Sequence, residues 1–267
     1  MERSSQASGR RDPPISGRDS DPTGRTFRGL TLSTFQVTAV EAIEAGSDVL
    51  VSAPTGAGKT LVAEFAILDA VRRGKRCIYT APIKALSNQK FHDFQADPDI
   101  DVGLMTGDVT IRPQAQVLVM TTEILRNAIF EESDTLHGVE FVVFDEVHFM
   151  DDPERGTVWE ESLIFAPPEV RFISLSATIP NLEEFGAWLT EVRSRPVAVV
   201  REERRPVPLE HRFYTEKRGS CGVDELEEVS RKDTPTRRRR NSRRPQHGGR
   251  SRRGSGRDGL DPRPPHP

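Results

Sequence analysis

The stretch D-V-L-V-S-A-P-T-G-A-G-K-T, residues 48–60, decides the fold. Asp48–Ala53 is short, apolar and β-branched, the pattern of a strand buried on both faces. A glycine-rich turn follows, made of Ala53, Pro54, Thr55, Gly56, Ala57, Gly58, Lys59 and Thr60. Helical periodicity then runs over Lys59–Arg73, with Leu61, Val62, Phe65 and Leu68 on one stripe, and Gly74 closes it. In a strand–turn–helix of this kind the backbone N–H groups of the turn cradle phosphate oxygens. Gly56 and Gly58 permit a backbone path and a close approach that a Cβ would obstruct. Lys59 sets an ammonium on the β- and γ-phosphates, and the Thr60 hydroxyl can ligate Mg²⁺. The helix N-terminus adds a favourable dipole. Where the usual pattern begins with Gly, this chain has Ala53.

Working outward, the same kind of strand recurs at Cys77–Pro82, Val102–Thr106, Val117–Thr121, Phe141–Glu146, Arg171–Ser176 and Pro196–Val200. Helical stretches alternate with them at Thr34–Glu44, Lys84–Ala96, Glu123–Phe130, Thr157–Phe165 and Leu182–Leu189, the last with Asn181 as its N-cap. Such alternation predicts an α/β fold, a mostly parallel sheet with helices on both faces.

A phosphate loop needs a metal-ordering carboxylate at the end of a neighbouring strand. F-V-V-F-D-E-V-H, residues 141–148, supplies one. Its apolar run forces the strand inside, and Asp145 and Glu146 emerge at the C-terminal edge. Asp145 suits Mg²⁺ held through water, and Glu146 suits orienting and deprotonating an attacking water. S-L-S-A-T, residues 174–178, ends another strand, where the Ser176 and Thr178 hydroxyls can reach the acid of the neighbouring strand.

Taken in order, these motifs resemble the first RecA-like lobe of superfamily 2 helicases, a P-loop NTPase lobe, with D-E-V-H as the DExH form that includes His148. A-P-I-K-A-L-S-N-Q-K (81–90), T-G-D (106–108), T-T-E-I-L-R-N (121–127) and R-G-T-V-W-E-E (155–161) resemble the superkiller-type branch, RNA helicases linked to exosome-mediated decay and their bacterial relatives. Phe35-Gln36 resembles the adenine-recognising Q motif, which gives Gln36 a nucleotide-binding role. The resemblance covers residues 30–215 and implies ATP-driven translocation along RNA with duplex unwinding. ATP and Mg²⁺ are the implied cofactors, and RNA and the RNA-decay machinery the implied partners. Single-stranded DNA stays open, because no residue identifiably reads a 2′-hydroxyl.

Pro82 and Lys84, then Thr106, Gly107 and Asp108, then Thr121, Thr122 and Glu123 all sit where a strand gives way to a loop or helix. In an open α/β sheet such edges form the binding crevice. Small hydroxyls, Gly and helix N-termini suit sequence-independent contacts to phosphate and sugar. Thr121 or Thr122 would also cap a helix without any nucleic acid present.

Charge divides the 267 residues into three regimes. Residues 1–26 carry 5 basic and 4 acidic groups and read as a disordered segment. Residues 27–215 carry 18 and 29, so nucleic acid would be met in a local groove rather than by a general basic surface. Residues 216–267 carry 15 and 8 and read as a basic, low-complexity tail whose arginines could tether RNA. No strand–helix series follows residue 215, so the second helicase lobe is expected to be missing and the chain to be truncated. Three functions fit: an RNA helicase lobe, an ATP- and nucleic-acid-binding fragment without unwinding, and an RNA tether acting through the tail. No run reaches 18 apolar residues and the N-terminus has no apolar leader, which predicts neither membrane span nor secretion. Two cysteines, Cys77 and Cys221, exclude a disulfide scaffold and point to a reducing cytoplasm.

Overall fold

The computed structural model describes residues 24–215 and 219–222. The predicted disorder of 1–26 falls almost wholly outside these residues, and the Arg-rich segment wholly so. The chain opens with a hairpin, β1 (Thr26–Phe27) and β2 (Leu30–Thr31), followed by α1 (Thr34–Glu44). Next come β3 (Asp48–Ser52), α2 (Thr60–Arg72), β4 (Arg76–Ala81) and α3 (Lys84–Gln95). β5 (Val102–Met105), β6 (Thr110–Ile111), β7 (Val117–Thr121) and α4 (Thr122–Phe130) follow, then β8 (Val139–Phe144), α5 (Gly156–Phe165) and β9 (Arg171–Ser176). α6 (Leu182–Arg193) and β10 (Val197–Arg201) complete the compact unit, which ends at Leu209. A separate short hairpin pairs β11 (Phe213–Thr215) with β12 (Gly219–Cys221), and the expected tail boundary at 216 falls inside it.

Eight strands form one sheet in the order β10-β3-β9-β8-β4-β7-β5-β6, parallel except for the β5–β6 hairpin. Side chains alternate across a strand, so each strand feeds two cores. Val49, Val51, Cys77, Tyr79, Val143 and Leu175 pack under α1, α2 and α3. Leu50, Ile78, Val142, Phe144 and Phe172 pack under α4, α5 and α6, around the fully buried Trp159. The α/β architecture with helices on both faces is therefore the one expected. Cys77 is buried, and desolvation pushes its thiol up to about 12.

Two expected elements shift by more than one residue. The acidic strand ends at Phe144, two residues before the expected end, because Glu146 takes a left-handed backbone (φ 56°) that turns the chain into a 3-10 segment, Val147–Asp151. The last helix runs on to Arg193, whose guanidinium donates to the carbonyls of Leu163, Ala166, Pro167 and Val170. Asn181 stands at its N-cap but makes no side-chain capping bond.

Candidate nucleotide site and adjoining groove

Register brings the motifs together. Ser52 lies opposite Ser176, Thr80 opposite Phe144, and Ala81 opposite Thr121. Thus β3, β9, β8, β4 and β7 all end along one edge of the sheet, the edge where open α/β folds bind ligands.

At one end of that edge is the glycine-rich loop. Gly56 and Gly58 have φ of 84° and 93°, and a Cβ on Gly58 would come within 2.7 Å of Gln36 Nε2. Ala53, in contrast, is absent from the positive-φ positions, so an L-residue replaces the usual Gly without strain. Its N–H donates to Ser176 O at 3.2 Å. Lys59 Nζ folds back over its own loop, donating to Ala53 O at 2.7 Å and Pro54 O at 3.4 Å. Burial lowers the Lys59 pKa, while the charges of Glu146 and Asp145 oppose that shift. Gln36 is buried, accepts from Ser33 N–H at 2.8 Å and donates to Gly58 O at 3.0 Å, tying the start of α1 to the loop. One amide hydrogen and one lone pair of Gln36 Oε1 are still left for a ligand.

The acidic turn sits two strands away. Asp145 N–H donates to Thr80 O at 3.0 Å, which holds the residue at the strand's edge. Its Oδ1 accepts from Glu146 N–H at 3.1 Å and its Oδ2 from the Tyr79 hydroxyl at 2.5 Å. Tyr79 is fully buried, and desolvation, reinforced by Asp145, raises its pKa well above the ordinary value. His148 Nδ1 accepts from Ala177 N–H at 3.4 Å and lies 3.3 Å from Glu146 Oε2.

The S-A-T segment is joined differently from expectation. Thr178 is exposed and Ser176 Oγ is buried without a hydrogen-bond partner, so neither hydroxyl holds the acid. The backbone does the joining instead. Ala177 N–H reaches His148, while Ser52 Oγ donates to Ala177 O at 3.2 Å and accepts from Ile179 N–H at 3.4 Å.

Thr60 and Asp145 offer hard oxygen donors, the kind Mg²⁺ takes. Among the described residues no cluster of three or more His, Cys, Asp or Glu could hold a metal by itself. These residues therefore fit a Mg²⁺ shared with phosphate and water rather than a protein-only cage.

At the other end of the edge lies a cleft of about 440 Å³, with Pro82, Lys84, Gly107, Thr121, Glu123 and Arg155 in its wall. Five of the eight residues expected to meet nucleic acid line it; Thr106, Asp108 and Thr122 flank it. Lys84 Nζ donates to Asp108 Oδ2 at 2.6 Å, with both side chains largely exposed. Arg155 Nη2 donates to Pro82 O at 2.5 Å and Arg155 Nε to Glu123 Oε1 at 3.1 Å. Thr121 is the N-cap of α4 but makes no side-chain cap bond, and the buried Thr122 Oγ1 has no partner. Helix capping thus does not account for either hydroxyl.

Two residues of this edge carry no expected role in the sequence, Tyr79 and Arg155. Their partners lie 66 and 32 residues away, so only register reveals them.

The sequence profile of the DEAD/DEAH box helicase family matches residues 33–185. ATP-dependent RNA helicase mtr4 of Schizosaccharomyces pombe is 50% identical over 211 residues, 79% of this chain and 18% of that protein. Antiviral helicase SKI2 of Saccharomyces cerevisiae is 51% identical over 187 residues, 70% and 14% of the two chains. Probable helicase HelY of Mycobacterium tuberculosis is 52% identical over 181 residues, 67% and 20%. The chain thus spans a fifth or less of the length of these relatives. A solved structure of the DUF1998 helicase MrfA bound to DNA and AMPPNP shares the fold at a TM-score of 0.56 and 21% identity, covering 77% of this chain and 32% of that one. The chain belongs to the DEAD/DEAH box helicase family, in the DExH branch of its mtr4, SKI2 and HelY relatives.

Proposed function

We propose that this lobe binds ATP with Mg²⁺ and hydrolyses it, and that in the whole protein hydrolysis drives movement along RNA and unwinding of duplexes. The observation that carries the reading is the convergence of Lys59, Asp145 and Glu146 on one sheet edge, where the charges of both acids act on the lysine. The loop N–H groups and Lys59 take the phosphates, and Gln36 takes the adenine edge with its spare amide hydrogen and lone pair. Thr60 and Asp145 hold Mg²⁺, whose charge offsets that of the phosphates. Glu146 accepts the proton of the attacking water. His148, bonded to Ala177 N–H, joins that acid's turn to the S-A-T segment.

The cleft takes the sugar–phosphate backbone of a single strand, through Lys84, Gly107 and Thr121. RNA is the proposed substrate because the mtr4 relative is named an RNA helicase. The RNA-decay machinery is the proposed partner, on the superkiller-type resemblance. Among the described residues no helix is long and apolar enough to cross a membrane. A second reading is an ATP- and nucleic-acid-binding fragment without unwinding. It is favoured because the described residues hold one RecA-like sheet.

Glu146→Gln tests the carrying observation. The amide keeps the shape but accepts no proton, so single-turnover hydrolysis should fall by about 10²–10⁴ with nucleotide binding retained. Equal hydrolysis by the variant would remove Glu146 from the chemistry.

A further inference from the structure

We propose that Tyr79 is a positioning residue for Asp145, setting that carboxylate for Mg²⁺ through a buried hydrogen bond from a neutral donor. The inference rests on the reading of Asp145 as the metal-side acid.

Asp145 lies beyond the last ladder residue of β8, and the next residue turns away with a left-handed backbone. A carboxylate there is free to rotate unless something holds it. Two groups do: Glu146 N–H on Oδ1 and Tyr79 hydroxyl on Oδ2. The first is a neighbour's backbone and moves with the turn. The second is anchored in the sheet. Tyr79 belongs to β4 opposite Val143, its ring stacks edge-on against Phe94 at 5.5 Å, and the Lys90 ammonium lies 6.0 Å from its centroid. None of its surface is exposed. The hydroxyl is its one polar group, and it is spent on Asp145.

The choice of a phenol matters. A lysine or arginine would hold Asp145 as firmly but would neutralise it and compete with a cation. A phenol fixes the carboxylate and leaves its charge intact. Two of about four lone-pair sites are used, and the others remain for metal-bound water. Partners of this kind behind a metal ligand typically carry 10–100-fold in metal affinity or activity.

The test uses Tyr79→Phe, which keeps the ring and removes the bond, in the 267-residue chain. Calorimetry with a non-hydrolysable ATP analogue, at graded Mg²⁺ and in EDTA, reads binding without catalysis. Affinity in EDTA should match the wild type, and the Mg²⁺ concentration giving half the gain in affinity should rise about tenfold. In an Asp145→Ala background the same substitution should change nothing further. Melting temperature supplies a readout without nucleotide. Asp145→Ala orphans a buried hydroxyl and should melt lower, and adding Tyr79→Phe should restore part of the loss. A Mg²⁺ midpoint within twofold of wild type overturns the proposal, as does an equal Tyr79→Phe effect with and without Asp145. A wild-type chain with no Mg²⁺-dependent nucleotide binding would overturn the proposed function itself.

Discussion

Replacing Lys59 by alanine separates binding from folding at the glycine-rich loop. The Lys59 ammonium is half-buried and bonded to Ala53 O at 2.7 Å, with a weaker contact to Pro54 O at 3.4 Å. ATP must draw it off those carbonyls, so its phosphates replace one good bond and one poor one. A hydrogen bond to a charged group is worth about 1.5–3 kcal/mol. Contacts to two phosphates, less the bond released, leave about 1.5–3 kcal/mol, or roughly 10- to 150-fold in affinity. Stability should move much less. Alanine gives up the Ala53 bond but also removes an ammonium that burial penalises, as its lowered pKa records. Calorimetry with an ATP analogue, paired with a melting curve without nucleotide, reads both quantities. Weaker binding at an almost unchanged melting temperature is expected. Unchanged affinity would refute the assignment of Lys59 to phosphate, and a large fall in melting temperature with unchanged affinity would make Lys59 a structural staple of the loop.

Glu140 joins α2, β8 and β9 at the opposite edge of the sheet, accepting from Arg73 Nη1 at 2.7 Å and Arg171 Nη2 at 2.6 Å. Burial would push its carboxyl up, but the two guanidinium groups carry it below the ordinary 4.5. Its contribution is therefore complete above that value and lost as pH falls through the lowered folded value. Glu140→Gln should cost about 1–3 kcal/mol at pH 7 and flatten the acid limb of the melting-temperature profile; an unchanged acid limb would contradict this. Gly156 opens α5, where a Cβ would stand 2.1 Å from Met150 O, so Gly156→Ala should lower stability by about 1–3 kcal/mol in urea unfolding; an unchanged midpoint would show that the turn gives way freely. The 267-residue chain, assayed alone in strand displacement, should bind ATP·Mg²⁺ weakly and unwind nothing, since closure of two lobes on nucleotide is what couples hydrolysis to movement. ATP-dependent displacement that disappears with Glu146→Gln would show that two copies can build a composite site.

The sheet was legible because burial on both faces leaves continuous apolar runs, and seven such runs became β3, β4, β5, β7, β8, β9 and β10. The hairpins were not, because two-residue strands such as Thr26–Phe27 and Thr110–Ile111 carry no period to read. Site residues within one motif were legible for the same local reason: the G-K-T spacing and the strand-end acids each declare themselves within a few residues. What joins them was hidden. Ser52, Ala177, Tyr79 and Arg155 act through partners 29 to 125 residues away, and the sheet order that brings them near is written in no single segment.

That hidden layer centres on one strand. β4 touches both the acidic turn and the cleft: Tyr79 donates to Asp145, Thr80 O accepts from Asp145 N–H, and Pro82 O, just beyond the strand, accepts from Arg155 in the cleft wall. Only Thr80 and Ala81 separate Tyr79 from Pro82. Thr80 Oγ1 also donates to Val143 O at 3.0 Å, which doubles the tie between β4 and β8. A strand flanked by β8 and β7 cannot slide without breaking both ladders, which keeps Tyr79, Thr80 and Pro82 in one register. The bonds of Tyr79, Thr80 and Pro82, all at the C-terminal end of β4, tie the acid turn and the cleft wall to one strand.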